Sequence, residues 1–267
     1  LLRYAQHPYV TGIFGKLSVD LVPCYELKSL EKIKSAVDRT PFHVEYLSRK
    51  FKKSYSKHVR LLKAFLKAND LYGADAKVNG FSGYLCDLLI IHYKTFLKTL
   101  RACTRWEPGI VIDIEDHWKG DYRLLRKIFK GQPLIVVDPV DRKRNVAAAL
   151  SSRNFYRFKK LALEFLKNPT KDFFFKRKEC RLKASQLKSL IRDRKTKLIV
   201  IHFKAPKVVP DVLYPQLRKV AVGLNNLLRQ HEFSCHYYDV WSDERLAALA
   251  FELEVWKLPS VDERVGP

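Results

Sequence analysis

Residues 197–203 read KLIVIHF, in which Leu198–Ile201 form a short apolar run with three β-branched side chains. Such a run predicts a β-strand over Lys197–Phe203. The segments that follow it predict a helix over Leu213–Arg229, a strand over Phe233–Trp241, a turn at Ser242-Asp243 and a strand over Leu246–Trp256. The mixture of helix and strand indicates an α+β fold class.

The order β-α-β-β that begins at residue 197 is the first part of a ferredoxin-like unit. Such a unit continues with a second helix and a last strand, which do not follow here, so we expect the chain to be cut at this end. Upstream, Val10 to Tyr25 predicts a hairpin around Gly15-Lys16. Thr40-Pro41 predicts a helix start, with Thr40 as the N-cap and proline at the first helical position.

Helical spacing recurs in three more segments of the chain. A helix is predicted over Ser56–Asn69, with Val59, Leu62 and Leu66 buried. Another follows Gly80-Phe81-Ser82-Gly83, with a stripe at steps of three and four formed by Leu85, Leu88, Leu89, His92 and Phe96. A third spans Ser152–Lys167 and is closed by Asn168-Pro169, and strands are predicted at Ile110–Ile114 and Leu134–Val137.

Charge is the property that most restricts the function. Lys and Arg total 51 against 28 acidic residues, a net charge of +23 over 267 residues. Eight basic residues and no acid lie between Arg49 and Lys67, and eleven basic residues lie between Lys176 and Lys204. This excess indicates a polyanionic partner, with nucleic acid favoured over an anionic membrane surface.

Other compositional features exclude several classes of protein. No apolar run approaches the ~20 residues of a membrane helix, which excludes a transmembrane protein. No charged-then-apolar segment stands at the start of the given residues, so we expect no secretion signal. The five cysteines form no C-x-x-C pair, so neither a zinc site nor a disulfide framework is indicated. We expect a reducing, cytoplasmic setting.

Four segments carry side chains suited to chemistry, and each has a plainer interpretation. Asp20 is a metal-ligating carboxylate on a strand or a solvent-facing residue. Thr40, Pro41 and His43 form a helix start that suits phosphate or an ordinary cap. Lys63 and Lys67 bind phosphate or lie on a plain surface. The segment 138–145 is a ligand-contacting loop or a solvated turn.

Taken together, these segments resemble the archaeal-type (class I) CCA-adding enzymes, over essentially the whole chain and in order. The matching segments are HPYV (7–10), VDLVPCY (19–25), KSAVDRTPFH (34–43), GFSGYLC (80–86) and VVDPVDRKRNVAA (136–148). These enzymes are tRNA nucleotidyltransferases with a palm like that of DNA polymerase beta. The resemblance implies the end of this palm at residues 1–40, a mostly helical nucleotide- and tRNA-binding domain at 41–170, and a basic body with the ferredoxin-like tail piece at 171–267.

The implied activity is addition of C, C and A to the tRNA 3′ end from CTP and ATP, without a nucleic-acid template. By resemblance, Asp20 is the catalytic carboxylate and a ligand of Mg²⁺. Lys63 and Tyr72 contact the triphosphate, and Arg144 reads the base edge. Thr40 and His43 lie at the nucleotide, and His7 lines the pocket.

The family palm begins with a Gly-Ser motif and two further metal-binding acids, and no Gly-Ser pair occurs in this sequence. We therefore expect an internal piece of such an enzyme, with one of three catalytic carboxylates and no activity alone. The basic stretches would take the tRNA acceptor stem. A homodimer is left open, as are a non-catalytic RNA-binding module and another template-independent polymerase, such as a poly(A) polymerase or oligoadenylate synthetase. The loop from Asp138 to Arg144 favours the CCA-adding type.

Overall fold

The computed structural model describes residues 2–4, 8–27, 29–176, 183–243 and 245–261. The chain divides into two compact units, Leu1–Arg177 and Lys178–Pro267, which are described separately. Both helices and strands are present, as an α+β class requires. In the ranges described, we find no helix that combines the length and the apolar character needed to cross a bilayer.

The first unit opens with a small antiparallel sheet, in the order β1 (Leu2–Tyr4), β2 (Pro8–Phe14) and β3 (Leu17–Leu21). Strands β2 and β3 form the predicted hairpin, and Gly15 takes the positive φ of 62° that its tight turn requires. Every residue of β3 is exposed, including Val19 and Leu21. The hairpin is therefore confirmed as an element, and its second strand is exposed on both faces.

Helix α1 (Thr40–Lys50) begins where Thr40-Pro41 predicts, but Thr40 is not its N-cap. A 3₁₀ turn, Ala36–Arg39, runs directly into the helix, and Thr40 already has helical φ and ψ of −58° and −45°. The amide of Thr40 donates to the carbonyl of Val37, and Pro41 has no amide hydrogen. The predicted cap is wrong because the 3₁₀ turn is continuous with the helix, so Thr40 lies inside the helical segment and not at its start.

Three helices contribute much of the core of the first unit: α2 (Tyr55–Ala68), α3 (Gly83–Tyr93) and α4 (Phe96–Cys103). The prediction of α2 is confirmed, with its Val, Leu and Leu stripe buried. The stripe predicted through Phe96 in one helix is wrong, because Lys94 adopts φ of 72° and ends α3. His92 was predicted in that stripe and is exposed. Thr95 then caps α4 by accepting from the amide of Lys98.

A parallel strand pair and a long helix complete the first unit. Strand β4 (Ile110–Ile112), helix α5 (Tyr122–Ile128) and strand β5 (Leu134–Val136) are followed by α6 (Ser152–Lys167), at the predicted bounds. Helix α6 packs against α4, and the core between them is aromatic. Trp106 is 1% exposed and stacks on Phe155 with ring centroids 6.0 Å apart.

The second unit contains α7 (Ala184–Asp193), which the sequence did not predict, and then the predicted strand–helix–strand–strand order. These elements are β6 (Lys197–Lys204), α8 (Pro210–Gln230), β7 (Cys235–Ser242) and β8 (Leu246–Leu253). The antiparallel sheet has the order β6-β8-β7, so the last strand lies between the other two. Alternate residues of β8 are buried with Leu213, Leu217 and Ala221 of α8.

Candidate functional site

The loop that follows β5 is tied down at both ends. The amide of Asp138 donates to the carbonyl of Arg144 at 3.0 Å, and the Asn145 side chain accepts from the amide of Val136 at 2.8 Å. Asp138 is 0% exposed although charged residues surround it in the sequence. The interpretation of this segment as a solvated turn therefore does not hold for Asp138.

Both oxygens of the Asp138 carboxylate accept hydrogen bonds. Its Oδ2 lies 2.9 Å from Nε2 of His43 and 2.7 Å from a terminal guanidinium nitrogen of Arg144. Its Oδ1 accepts from the Val140 amide at 3.1 Å and from the Tyr84 hydroxyl at 3.4 Å. Burial raises the pKa of Asp138, but the hydrogen bonds from His43 and Arg144 outweigh burial, so its pKa lies below the usual range.

The ring of Tyr84 stacks on the ring of His43, with centroids 4.0 Å apart. Burial, and next the negative charge of Asp138, raise the pKa of Tyr84, so its hydroxyl stays protonated and can donate. The side chains of α1, α3 and the loop after β5 thus meet in one cluster. His43 and Arg144, predicted separately from the sequence, are brought together by a residue that was not predicted.

Arg144 borders an open cleft of about 1020 Å³. Arg39 and Asp141, which also line this cleft, form an ion pair with 3.1 Å between Nε and Oδ2. Ser82, the N-cap of α3, lines it as well and accepts from the amide of Leu85 at 3.1 Å. The cleft is lined by three arginines and a lysine, which suits an anionic ligand of nucleotide size.

Lys63 and Tyr72 meet at the first residue of α3. A Cβ atom placed on Gly83 would lie 3.1 Å from the Tyr72 hydroxyl and 3.7 Å from Nζ of Lys63. Nζ of Lys63 also pairs with Oδ1 of Asp87 at 3.0 Å, one turn further along α3. Burial raises the pKa of Asp87, against the opposing effect of Lys63. A lysine and a hydroxyl at a helix N-terminus, where the dipole is positive, form an environment suited to phosphate oxygens.

A second loop, after β4, supports the loop after β5. Nε2 of His117 lies 2.8 Å from the carbonyl oxygen of Pro139, and the indole of Trp118 donates to the carbonyl of Arg142 at 2.9 Å. Glu115 of the same loop accepts from the Tyr46 hydroxyl at 2.7 Å, which holds α1 in place. The backbone that presents Arg144 is therefore fixed by contacts from two sides.

The remaining predicted residues lie elsewhere. Asp20, on β3, accepts from the Thr11 hydroxyl at 2.7 Å, and in the described part of the chain no contact joins it to the cluster around Asp138. Thr40 is exposed, one turn before His43 on α1. His7 lies outside the described residues. Tyr72 is half-buried, with Nζ of Lys67 4.9 Å from its ring centroid.

Sequence reasoning missed Asp138, Tyr84 and Asp87, although all three lie in or directly beside segments that it quoted. Asp138 follows an apolar strand at once, and this position at a strand end was the available signal. Tyr84 and Asp87 lie on the first turns of α3, directly after the predicted helix start. Their partners come from other elements, and spacing along the chain does not reveal such contacts.

Asp20 is the one side chain that the sequence analysis offered as a metal ligand. Nucleotidyltransferase families depend on a divalent metal, and a carboxylate oxygen is a suitable ligand for one. Asp20 fits as a single ligand of this kind. Across the ranges that the structure describes, no group of three or more His, Cys, Asp or Glu side chains is arranged to hold an ion.

Comparison with known families gives two matches. Residues 57–175 match the model of the tRNA nucleotidyltransferase second domain, and residues 194–267 match the model of the CCA-adding enzyme C-terminal domain. The first match includes the loop after β5 and the start of α3, and the second includes the sheet of the second unit. The cluster around Asp138 thus lies largely within the residues that match the tRNA nucleotidyltransferase second domain.

Curated relatives agree along the whole chain. The sequence is 42% identical over 266 residues to a CCA-adding enzyme of Archaeoglobus fulgidus, and 41% identical over 265 residues to one of Methanosarcina mazei. A CCA-adding enzyme of Methanococcus maripaludis is 42% identical over 270 residues. These alignments cover 99–100% of this chain and 56–60% of the relatives. The resemblance to archaeal-type CCA-adding enzymes is therefore confirmed, for a chain that spans less than two thirds of their length.

Proposed function

We propose that this chain supplies the nucleotide-selecting part of an enzyme that adds C, C and A to the 3′ end of tRNA from CTP and ATP. The observation that carries the proposal is the meeting of His43 and Arg144 on a buried carboxylate, beside a cleft of nucleotide size. The names of the relatives and of the two matching domain families support the same activity.

Lys63 and Tyr72 would bind the triphosphate at the start of α3. The ammonium group offsets the charge that develops on the leaving pyrophosphate, and the hydroxyl adds a neutral donor. Asp87 keeps the lysine at this position in the absence of a ligand. The arrangement would hold CTP and ATP alike, because both carry the same phosphates.

Arg144 would read the edge of the incoming base. Its planar guanidinium can pair with the acceptors of cytosine or adenine, whereas lysine offers only a point charge. The side chain is 37% exposed, so it can still reach a ligand in the cleft. His43, on α1, would also contact the nucleotide. Thr40 and His7 remain predicted contacts of the nucleotide.

Asp20 would serve as one ligand of Mg²⁺. Bound Mg²⁺ supplies electrostatic stabilisation of the reacting phosphate oxygens. The Asp20 side chain is exposed and held by Thr11, so it is accessible to an ion. The overall reaction would be attack of the tRNA 3′-hydroxyl on the α-phosphorus with loss of pyrophosphate.

The basic surface would bind the tRNA acceptor stem, mainly through its backbone phosphates. Lys57 and Arg60 are exposed on α2, on the side away from the buried stripe. The same proposal includes three assignments of structure. The chain divides into three parts at residues 40 and 170, the hairpin belongs to a palm, and the sheet of the second unit is ferredoxin-like. A cytoplasmic location and a homodimer stay predictions.

The test is incorporation of labelled CTP and ATP by the natural full-length protein into tRNA that lacks CCA. We expect two C residues and then one A to be added, with tRNA that already ends in CCA as the control. Repeated addition of A would indicate a poly(A)-type polymerase. RNA binding without incorporation would indicate a non-catalytic module. The isolated 267-residue chain is expected to bind RNA without incorporating nucleotide.

A further inference from the structure

We propose that Asp138 is a positioning residue that fixes His43 and Arg144 relative to each other, so that nucleotide selection depends on the three residues as one unit. The inference rests on the proposed function, because it assigns a role within the same site. It goes further in assigning the selectivity to a buried carboxylate that cannot itself reach the nucleotide.

The first observation is the shared acceptor. Oδ2 of Asp138 accepts hydrogen bonds from His43 at 2.9 Å and from Arg144 at 2.7 Å. These two donor residues are 101 positions apart in the chain. A carboxylate oxygen has two lone pairs, so both bonds can form together. Movement of either donor therefore changes the position of the acceptor that holds the other.

The second observation is that the carboxylate cannot rotate freely. Oδ1 is held by the amide of Val140 at 3.1 Å and by the hydroxyl of Tyr84 at 3.4 Å. Tyr84 also stacks on the His43 ring, so it contacts both members of the pair. With Oδ1 fixed in this way, the direction of Oδ2 is determined, and so are the directions of its two donors.

The third observation concerns the proton on His43. An ionised carboxylate can only accept, so Nε2 of His43 carries the hydrogen in this contact. The carboxylate thus selects the tautomer of the imidazole as well as its orientation. The same charge directs the guanidinium of Arg144, since hydrogen bonds to a charged acceptor are the stronger kind.

Substitution of Asp138 by Asn separates this role from simple packing. Asparagine has nearly the same shape, but one of its two terminal groups is a donor. If the amide group of asparagine faces Val140, it meets a backbone N–H that only donates, and the oxygen that holds His43 and Arg144 loses its anchor. If it faces Arg144, it meets a guanidinium that only donates. In either orientation we expect His43 and Arg144 to be held less firmly relative to each other.

The experiment measures single-nucleotide addition by the natural full-length protein with CTP, ATP and UTP at saturating tRNA. We expect Asp138→Asn to raise KM for CTP and ATP about tenfold and to lower the preference for CTP over UTP about tenfold, while tRNA affinity stays within twofold. The matched control is Asp116→Asn. Asp116 is exposed and has φ of 53°, which asparagine tolerates well, so this variant should behave as wild type.

A second measurement does not depend on the Asp138 variant folding. In an otherwise wild-type protein, His43→Ala and Arg144→Lys should be non-additive in their effect on KM for CTP, by a factor of about three or more. In the Asp138→Asn background, if that protein folds, the two effects should become additive. Additivity within twofold in the wild-type background would overturn the shared positioning.

The outcomes separate the two proposals. Wild-type protein that adds no nucleotide to tRNA lacking CCA would overturn the proposed function and this inference with it. Active wild-type protein with unchanged KM and unchanged CTP preference in a folded Asp138→Asn variant would overturn the inference alone. Circular dichroism spectra of each variant establish that the protein compared is folded.

Discussion

At the scale of single residues, Asp20 is the side chain whose loss should be most severe. We expect Asp20→Asn in the natural full-length protein to lower both C and A addition by at least 100-fold, because a metal-binding carboxylate is removed. Asparagine can still accept from Thr11, so the hairpin should persist and tRNA binding should be unchanged.

Single-turnover incorporation of CTP and ATP measures this effect. Asp193→Asn, at an exposed position on α7, is the control for loss of one negative charge. Activity of the Asp20 variant within about tenfold of wild type would show that Asp20 is an ordinary strand residue.

Asp138 should also make stability depend on pH. Its pKa is lowered in the folded protein, so the unfolded chain takes up the proton first as pH falls. The stabilisation is therefore complete well above the ordinary value of 3.8 and is lost as pH falls through the folded pKa. At pH 7 we expect Asp138→Asn to cost about 1–3 kcal/mol, as for a buried charged hydrogen bond.

Denaturant unfolding of wild type and Asp138→Asn between pH 7 and pH 3 tests this expectation. The difference in unfolding free energy between the two proteins should shrink toward the acid end of the range. A difference that stays constant with pH would mean that the charge of Asp138 contributes no stability.

At the scale of secondary-structure elements, the first turn of α3 should tolerate no added atom without a change in nucleotide binding. Gly83→Ala would place a Cβ 3.1 Å from the Tyr72 hydroxyl, which must then shift by a few tenths of an ångström. We expect KM for CTP and for ATP to rise together, about three- to tenfold, since both nucleotides present a triphosphate there.

The matched control is Gly223→Ala in α8. No atom lies within 4 Å of the added Cβ, and the position is exposed in a helix interior. Alanine there should leave KM unchanged and raise the unfolding free energy of the second unit by about 0.5–1 kcal/mol. Equal effects of the two substitutions on KM would contradict a triphosphate site at α3.

Elements with regular periodicity were predictable from the sequence, but the residues at which they begin and end were predicted correctly only in some cases. Helix α6 has its predicted bounds because Ser151 caps it and Asn168-Pro169 ends it. The break at Lys94 was missed because the apolar spacing continues across it into α4. The cap at Thr40 was wrong because a 3₁₀ turn precedes the helix.

The candidate site was predictable as a set of residues but not as an arrangement. His43, Lys63, Tyr72 and Arg144 were identified by resemblance, whereas Asp138 was assigned only to a charged loop. Its burial depends on partners from α1 and α3, which lie far away in the sequence. Contacts of this kind follow from tertiary packing. They cannot be predicted from the spacing of residues along a single sequence.

At the scale of the whole molecule, the net charge of +23 should make RNA binding strongly dependent on salt. Replacing Lys57 and Arg60 together with Gln should lower the slope of log affinity against log salt by about 1 for each phosphate that the variant no longer neutralises. The control is Lys160→Gln, because Lys160 already faces Glu164 at 3.8 Å.

Filter binding to tRNA between 50 mM and 200 mM salt gives these slopes. A slope near zero for the unmodified protein would contradict the assignment of the basic surface to RNA. Equal slopes for the Gln variants and the unmodified protein would instead place the RNA-binding surface away from α2.

The burial of Trp106 gives the protein an optical reporter of its own folding. Trp106 is 1% exposed beside Phe155, whereas Trp241 and Trp256 in the second unit are 51% and 44% exposed. An indole shielded from water emits at shorter wavelength than one in contact with it. Unfolding of the first unit should therefore shift the fluorescence spectrum to longer wavelength, while unfolding of the second unit should change the spectrum little. Heating one sample in a fluorimeter would then show whether the two units melt together or in turn.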